Sequence, residues 1–297
     1  MDSIPTELFP IELYTLILEF CEFKTKIRLI QSCQYFNCNL YIYDLMNIDD
    51  KYVKLLVNDI LQQHKFRFVV KLNARFNSKI TNVSFMKNLK ELNAGGSSCG
   101  INQEGIEGLD LVKLDAQNNP KITNVSFMKN LKKLDAGGLF CEINQEGIEG
   151  LDLVKLDAWD NPQITNVSFM KNLKSLDAGE SCGINQEGIE GLNLVKLDAY
   201  NNSKITNVIF MKNLKELNAG GSCRIDQEGI KGLDLVKLYA WCNSNITNVS
   251  FMKNLKELNA GFCGIDQEGI ERLDLVKLNA WNNSNITNVS FMKNLIP

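Results

Sequence analysis

One short segment, Ile-Thr-Asn-Val, begins at Ile80, Ile122, Ile164, Ile205, Ile246 and Ile286, with spacings of 42, 42, 41, 41 and 40 residues. A fixed period of this length constrains the fold more than any other feature. A unit that short cannot bury its own apolar face, so the units must stack and share one continuous core. Each period divides into two similar halves. One reads Leu-Val-Lys-Leu-Asp-Ala-Trp from Leu153, the other Leu-Lys-Ser-Leu-Asp-Ala-Gly from Leu173. Halves begin at Val69, Leu89, Leu111, Leu131, Leu153, Leu173, Leu194, Leu214, Leu235, Leu255 and Leu275, giving eleven units of 20 to 22 residues and a stub at Leu295.

Within a unit, Leu156 and Ala158 alternate with Lys155 and Asp157. That period of two predicts a strand with the apolar pair inward. Ile164, Val167, Met170 and Leu173 then recur at every third residue, which predicts an irregular or 3-10-like return segment. The pattern resembles the leucine-rich-repeat frame L-x-x-L-x-L-x-x-N/C-x-L, with alanine at the third leucine. The expected fold is therefore α/β: a solenoid with a parallel concave sheet and an irregular convex side. The N/C position holds Asn77, Asn119, Asn161, Asn202, Asn243 and Asn283 in one half-type, and Cys99, Cys141, Cys182, Cys223 and Cys263 in the other. The resemblance implies a structural ladder in which these side chains satisfy buried turn backbone. A metal or redox role for the cysteines is disfavoured. Strands ~4.8 Å apart, with cysteine on alternate ones, put neighbouring thiols ~10 Å apart, beyond a disulfide or a four-ligand site.

Residues 1–68 lie outside the repeat. Pro10 suits a helix start, and Leu13, Leu16, Ile17 and Phe20 share a helical face. A second short helix is expected to carry Ile27, Ile30 and Cys33. The stretch from Phe9 to Phe36 resembles an F-box: Phe9-Pro10 stands at its Leu-Pro, Glu12-Leu13 at its Glu-Leu, Ile17-Leu18 at its Ile-Leu, and Cys33 with Phe36 at its end. Phe9 replaces the usual leucine and Ser32 the usual valine. The cysteine half-units resemble those of F-box/leucine-rich-repeat proteins. The near-identical repeats are similar to such proteins inferred in amoeba-infecting giant viruses. The resemblance implies docking on a Skp-type adaptor of a cullin–RING ubiquitin ligase, with Phe9, Pro10, Leu13, Ile17 and Leu29 facing that adaptor and the repeats holding a protein substrate. The alternative is a stand-alone binding scaffold whose N-terminal helices only cap the solenoid. The expected organisation is an all-helical F-box-like module over 1–45, a linker or cap helix over 46–68 with its N-cap at Asp49 or Asp50 and an apolar face of Tyr52, Leu55, Leu56 and Ile60, and the solenoid over 69–297.

Variation between the units marks the outward surface. One outward row holds Asp115, Asp135, Asp157, Asp177 and Asp198 on consecutive strands, and four of those strands also carry lysine: Lys113, Lys133, Lys155 and Lys196. Two readings stay open, a self-compensated Lys–Asp lattice or an acidic strip for a basic peptide; a cation site is a minor third, since hard cations want more converging oxygens. The next outward position is glycine in the cysteine halves. In the other halves it is Arg75, Gln117, Trp159, Tyr200, Trp241 and Trp281. Together with Tyr239 these rings are candidate partner contacts, because Trp and Tyr dominate binding hot spots. They equally suit covering the bare glycine backbone beside them.

The remaining features exclude more than they suggest. A net charge of −3 with interspersed lysine and glutamate does not favour nucleic acid. The N-terminus lacks the form of a signal peptide, and no apolar run approaches the ~18 residues of a membrane span. Reduced cysteines in a cytoplasm, that of the host if the chain is viral, are expected. The N-x-S/T sequons at Asn82, Asn124, Asn166 and Asn248 read as by-products of the repeat. His64 is the only histidine, and no nucleophile, phosphate loop or ligand cluster accompanies it, so neither catalysis nor a metal or other cofactor is expected. The sequence stops at Asn-Leu-Ile-Pro with no polar cap, which raises the expectation of self-association through an open C-terminal edge.

Overall fold

The computed structural model describes residues 9–296. The first eight residues of the expected helical module lie outside that range, as does part of the stretch read for a targeting signal. Twelve parallel strands form one sheet in strict sequence order. Eleven come from the repeats: β2 (Lys71–Asn73), β3 (Glu91–Asn93), β4 (Lys113–Asp115), β5 (Lys133–Asp135), β6 (Lys155–Asp157), β7 (Ser175–Asp177), β8 (Lys196–Asp198), β9 (Glu216–Asn218), β10 (Lys237–Tyr239), β11 (Glu257–Asn259) and β12 (Lys277–Asn279). The pairing is in register throughout, so Leu156 lies between Leu134 and Leu176, and Asp157 between Asp135 and Asp177. The chain forms the leucine-rich-repeat solenoid that its period predicted.

Burial follows the alternation. Leu156 and Ala158 are sealed, as are Ile164, Val167 and Met170 on the return segment. That return is irregular in the asparagine halves, while the cysteine halves carry a 3-10 turn such as Glu146–Ile148 or Glu187–Ile189. Small alanine at the inward strand end keeps its carbonyl within reach of a ladder side chain. Asn161 donates through Nδ2 to Ala136 O at 2.8 Å and Ile143 O at 3.0 Å, and its Oδ1 accepts Gln163 N–H at 2.9 Å. Asn119, Asn202, Asn243 and Asn283 repeat the double donation. Without a partner, each buried group would cost about 1–3 kcal/mol.

The N-terminal region departs from expectation in three ways. The sheet begins before the repeats, at β1 (Asp44–Leu45), which pairs with β2. The 1–45 stretch is therefore not all-helical, and the boundary drawn after residue 45 falls at the edge of the sheet. Its helices are α1 (Ile11–Phe20), α2 (Phe23–Gln31) and α3 (Gln34–Asn39). Cys33 lies beyond α2 and caps α3 by accepting Phe36 N–H on sulfur at 3.5 Å.

The single helix expected over 46–68 is three short pieces: α4 (Asp50–Val53), α5 (Asn58–Leu61) and a 3-10 turn, His64–Phe66. Asp49 holds the N-cap position of α4, but its carboxylate pairs with Lys51 rather than capping the backbone. The physical reason for the break is the ladder. Asn77, the first ladder residue, has no preceding repeat and donates instead to Val53 O and Leu56 O, at 2.7 and 2.9 Å. Val53 O accepts Leu56 N–H at 3.1 Å as well as the Asn77 amide, and the break turns both carbonyls toward the ladder. Leu55, expected on the apolar face, is exposed, while Leu56 is buried.

Candidate functional site

Two surfaces carry the candidate residues. The first is α1. Its Leu18 is buried, and Ile11 and Tyr14 pack on the core. The opposite side is an unburied apolar stripe of Phe9, Leu13, Leu16, Ile17 and Phe20, with Phe20 85% exposed. The helix is apolar on both sides, and the face shared by Leu13, Leu16, Ile17 and Phe20 is the one turned away from the solenoid. Of the expected adaptor-facing residues, Phe9, Pro10, Leu13 and Ile17 lie in or beside this stripe and are exposed. Leu29 is different: it is half-buried on α2 and packs against the core.

The second surface is the concave sheet. Asp115, Asp135, Asp157, Asp177 and Asp198 stand side by side, half-buried. Each turns Oδ1 to the backbone N–H two residues on, as Asp157 does to Trp159 at 3.1 Å and Asp177 to Gly179 at 3.0 Å. Asparagines such as Asn93 and Asn259 do the same elsewhere in the row. The residue is thus a strand-end turn cap first and a charge second, a role the sequence reading missed.

The Lys–Asp lattice, one of the two readings of this face, does not form. No lysine ammonium of the outward row lies within 4.0 Å of these aspartates among the described residues. Instead lysines bridge sideways to glutamates: Lys71 to Glu91 at 3.0 Å, Lys196 to Glu216 at 3.6 Å, and Lys237 to Glu257 at 3.3 Å. The cause is geometric, since capping turns each carboxylate toward the strand's C-terminal end and away from its lysine. Burial pushes the Asp135 carboxyl up to about 7, reinforced by Asp157 and Asp115. Burial followed by Asp198 and Asp157 takes Asp177 to about 7 as well. Asp157 is raised for the same first reason.

Beside the aspartates runs the aromatic row. Trp159 is 38% exposed, Trp281 64% and Tyr239 39%, while Tyr200 and Trp241 are half-buried. The rings lean over the glycine of the following strand: Trp159 over Gly179, Tyr200 over Gly220, Trp241 over Gly261. Leaning also closes the spacing. Two strand intervals separate the Tyr200 and Trp241 backbones by ~10 Å, yet their ring centroids lie at 6.4 Å with 27° between planes. Phe262 fills the next gap, edge-on to Trp241 at 6.5 Å and to Trp281 at 4.9 Å. Covering glycine and facing outward therefore coexist.

The ladder cysteines Cys99, Cys141, Cys182, Cys223 and Cys263 are buried and free. Burial pushes Cys141 and Cys182 up to about 12 and Cys223 to about 11. Among the described residues no group of three or more His, Cys, Asp or Glu is placed to hold a metal ion, and no helix is long and apolar enough to cross a membrane. His64 sits at the surface against Tyr41, at 3.4 Å.

A second convex-side ladder went unnoticed in the sequence. Gln145 accepts Thr165 N–H, Thr165 Oγ1–H and Asn166 N–H on one oxygen and donates to Asn166 O. Gln103, Gln186, Gln227 and Gln267 repeat it. The unvaried glutamine in I-[ND]-Q-E-G was its signal. The sequon asparagines Asn82, Asn124, Asn166 and Asn248 each accept from the Ser two positions on, a turn role that accounts for their recurrence.

Fold and surfaces together define a leucine-rich-repeat solenoid with a helical N-terminal region and an aromatic–acidic concave face. No protein-family model matches the chain, and no curated protein matches it. Among solved structures it is similar to a chain in the crystal structure of the Rad7 and Elc1 complex in yeast, with a TM-score of 0.43 and 16% identity over 96% of this chain and 92% of that one.

Proposed function

We propose that this chain is a protein-interaction adaptor, and that α1 docks a Skp-type adaptor of a cullin–RING ubiquitin ligase while the concave face holds a protein substrate. The observation that carries the reading is the stripe Phe9–Leu13–Ile17 with Leu16 and Phe20. A helix that already packs on the core through Leu18 leaves four large apolar side chains in water, with Phe9 just before it making a fifth. Contiguous exposed apolar surface of this kind marks an interaction site. Capping the solenoid does not explain it, because α1 makes its core contacts through its other side, at Leu18, Ile11 and Tyr14.

Co-purification with a Skp-type adaptor tests the reading. Binding is expected for the full chain and is expected to be lost on combining Pro10→Ala with Ile17→Ala while the melting temperature holds. A folded chain that binds no such adaptor overturns it and leaves the stand-alone scaffold. That alternative predicts that partner binding survives deletion of residues 9–39. Both readings are proposed for a reducing cytoplasm, which would keep the free cysteines unpaired.

A further inference from the structure

The aromatic and acidic rows run side by side along the strands' C-terminal ends, and in the first repeat the chain fills that track itself. Arg75 occupies the position of Trp159, Tyr200, Trp241 and Trp281. Its guanidinium lies 4.9 Å from the Phe76 ring and donates through Nη2 to Gln117 Oε1 at 3.0 Å, crossing strand β3 to reach β4. Phe76 stands one position beyond that row, where later units carry Asn118, Asp160, Asn201, Cys242 and Asn282, so the contact is a single intramolecular instance of a flat cation lying on this face between a ring and a polar acceptor. Farther along, the neighbouring row two positions before the rings supplies charged acceptors. Asp157, Asp177 and Asp198 cap backbone with Oδ1 and have no cation within 4.0 Å. The lysines of the parallel row stand on the other side of the aspartates from the rings. Lys196, Lys237 and Lys277 are engaged with Glu216 and Glu257.

We propose that the concave track from Trp159 to Trp281 binds an extended protein segment bearing arginine or lysine, whose cations lie against the exposed rings and pair with the Asp157–Asp177–Asp198 carboxylates. This rests on the reading of the solenoid as a protein-binding surface and names the chemistry of what it binds. Ring face and carboxylate act on the same group: cation–π attraction holds the flat guanidinium, and the carboxylate supplies a charge-assisted hydrogen bond. The glycines between the rings let the rings lie flat along the sheet, with their outer faces toward the segment.

The test is fluorescence anisotropy with a fluorescein-labelled peptide of alternating Arg and Ser, and its Glu–Ser counterpart, on the full chain without any ligase adaptor present. The arginine peptide is expected to bind more weakly as salt rises, and the glutamate peptide not to bind. Trp159→Ala with Trp241→Ala is expected to weaken binding about tenfold. Asp157→Asn with Asp177→Asn, which keeps the turn caps, is expected to do the same. The convex-face control Glu107→Gln with Glu149→Gln and Glu190→Gln is expected to leave binding unchanged. Equal loss in the control, unchanged affinity in both concave variants, or preference for the glutamate peptide overturns the proposal. None of these results touches adaptor binding through α1, so the two readings fail independently.

Discussion

The Cδ1 atom of Trp159 lies 3.2 Å from the point a β-carbon on Gly179 would occupy. Two residues just beyond neighbouring strands, twenty positions apart, thus share one piece of surface: the ring is the side chain that Gly179 lacks. The ring is held from below and seen from above. Gly179→Ala is expected to lift it, shifting the Trp159 emission maximum in a Trp241→Phe, Trp281→Phe background. Stability should fall by no more than about 1 kcal/mol, since the ring is partly free to give way. An unmoved spectrum would mean that the ring does not rest there.

The ladder makes a larger prediction. Asn161→Ala removes the donor shared by two buried carbonyls, Ala136 O and Ile143 O, and the acceptor of Gln163 N–H. A loss of about 2–4 kcal/mol is expected, read from urea unfolding. The exposed Asn172→Ala, which breaks a surface bond to Asp152, is expected to change stability by less than about 0.5 kcal/mol.

The acid row predicts a pH dependence with a definite sign. Asp135 is faced by Asp115, Asp157 and Lys155, and Asp177 by Asp157, Asp198 and Lys196. Both carboxyls are raised from the ordinary 3.8 to about 7. Their contribution to stability is therefore complete below about pH 4 and is lost as pH rises through 7. Asp177→Asn keeps the turn cap, as Asn218 does at the same position, and removes the charge. The variant is expected to gain about 1–2 kcal/mol over the parent at pH 8 and almost nothing at pH 4. Thermal melts at several pH values decide it; an equal gain at both would assign the effect to packing.

Thiol chemistry separates ladder from surface. Cys33, Cys38 and Cys242 are exposed, while Cys182 and its four ladder counterparts are buried. With burial holding Cys182 near 12, thiolate is scarce at neutral pH. A disulfide reagent is expected to label the three exposed thiols at once and the ladder thiols only on unfolding. Mass spectrometry of the labelled peptides reads this directly.

Backbone strain offers a stabilising change. Cys242 sits at φ 60°, where the corresponding Asn118, Asn201 and Asn282 hold the same left-handed conformation. Asparagine tolerates that region better than most side chains. Cys242→Asn is expected to raise stability by about 0.5–1 kcal/mol, measurable as a higher melting temperature.

The sequence by itself determined the solenoid, its register and its core. Leu156, Ala158, Ile164 and Asn161 recur at fixed offsets, and a stacked repeat has one way to bury them all. It also placed Trp159 and Asp157 on the outward side, because alternation along a strand is local. It did not show that Asp157 spends one oxygen on Trp159 N–H, that Lys237 prefers Glu257, or that Tyr200 leans toward Trp241. Those choices depend on side-chain direction across strands, which one unit's sequence does not contain. Nor did it show β1 or the broken helix over 46–68. Both exist because the first repeat lacks a predecessor, and Asn77 takes the carbonyls of Val53 and Leu56 in its place. Local pattern sets what each unit buries; only tertiary packing decides how the units' polar groups find one another.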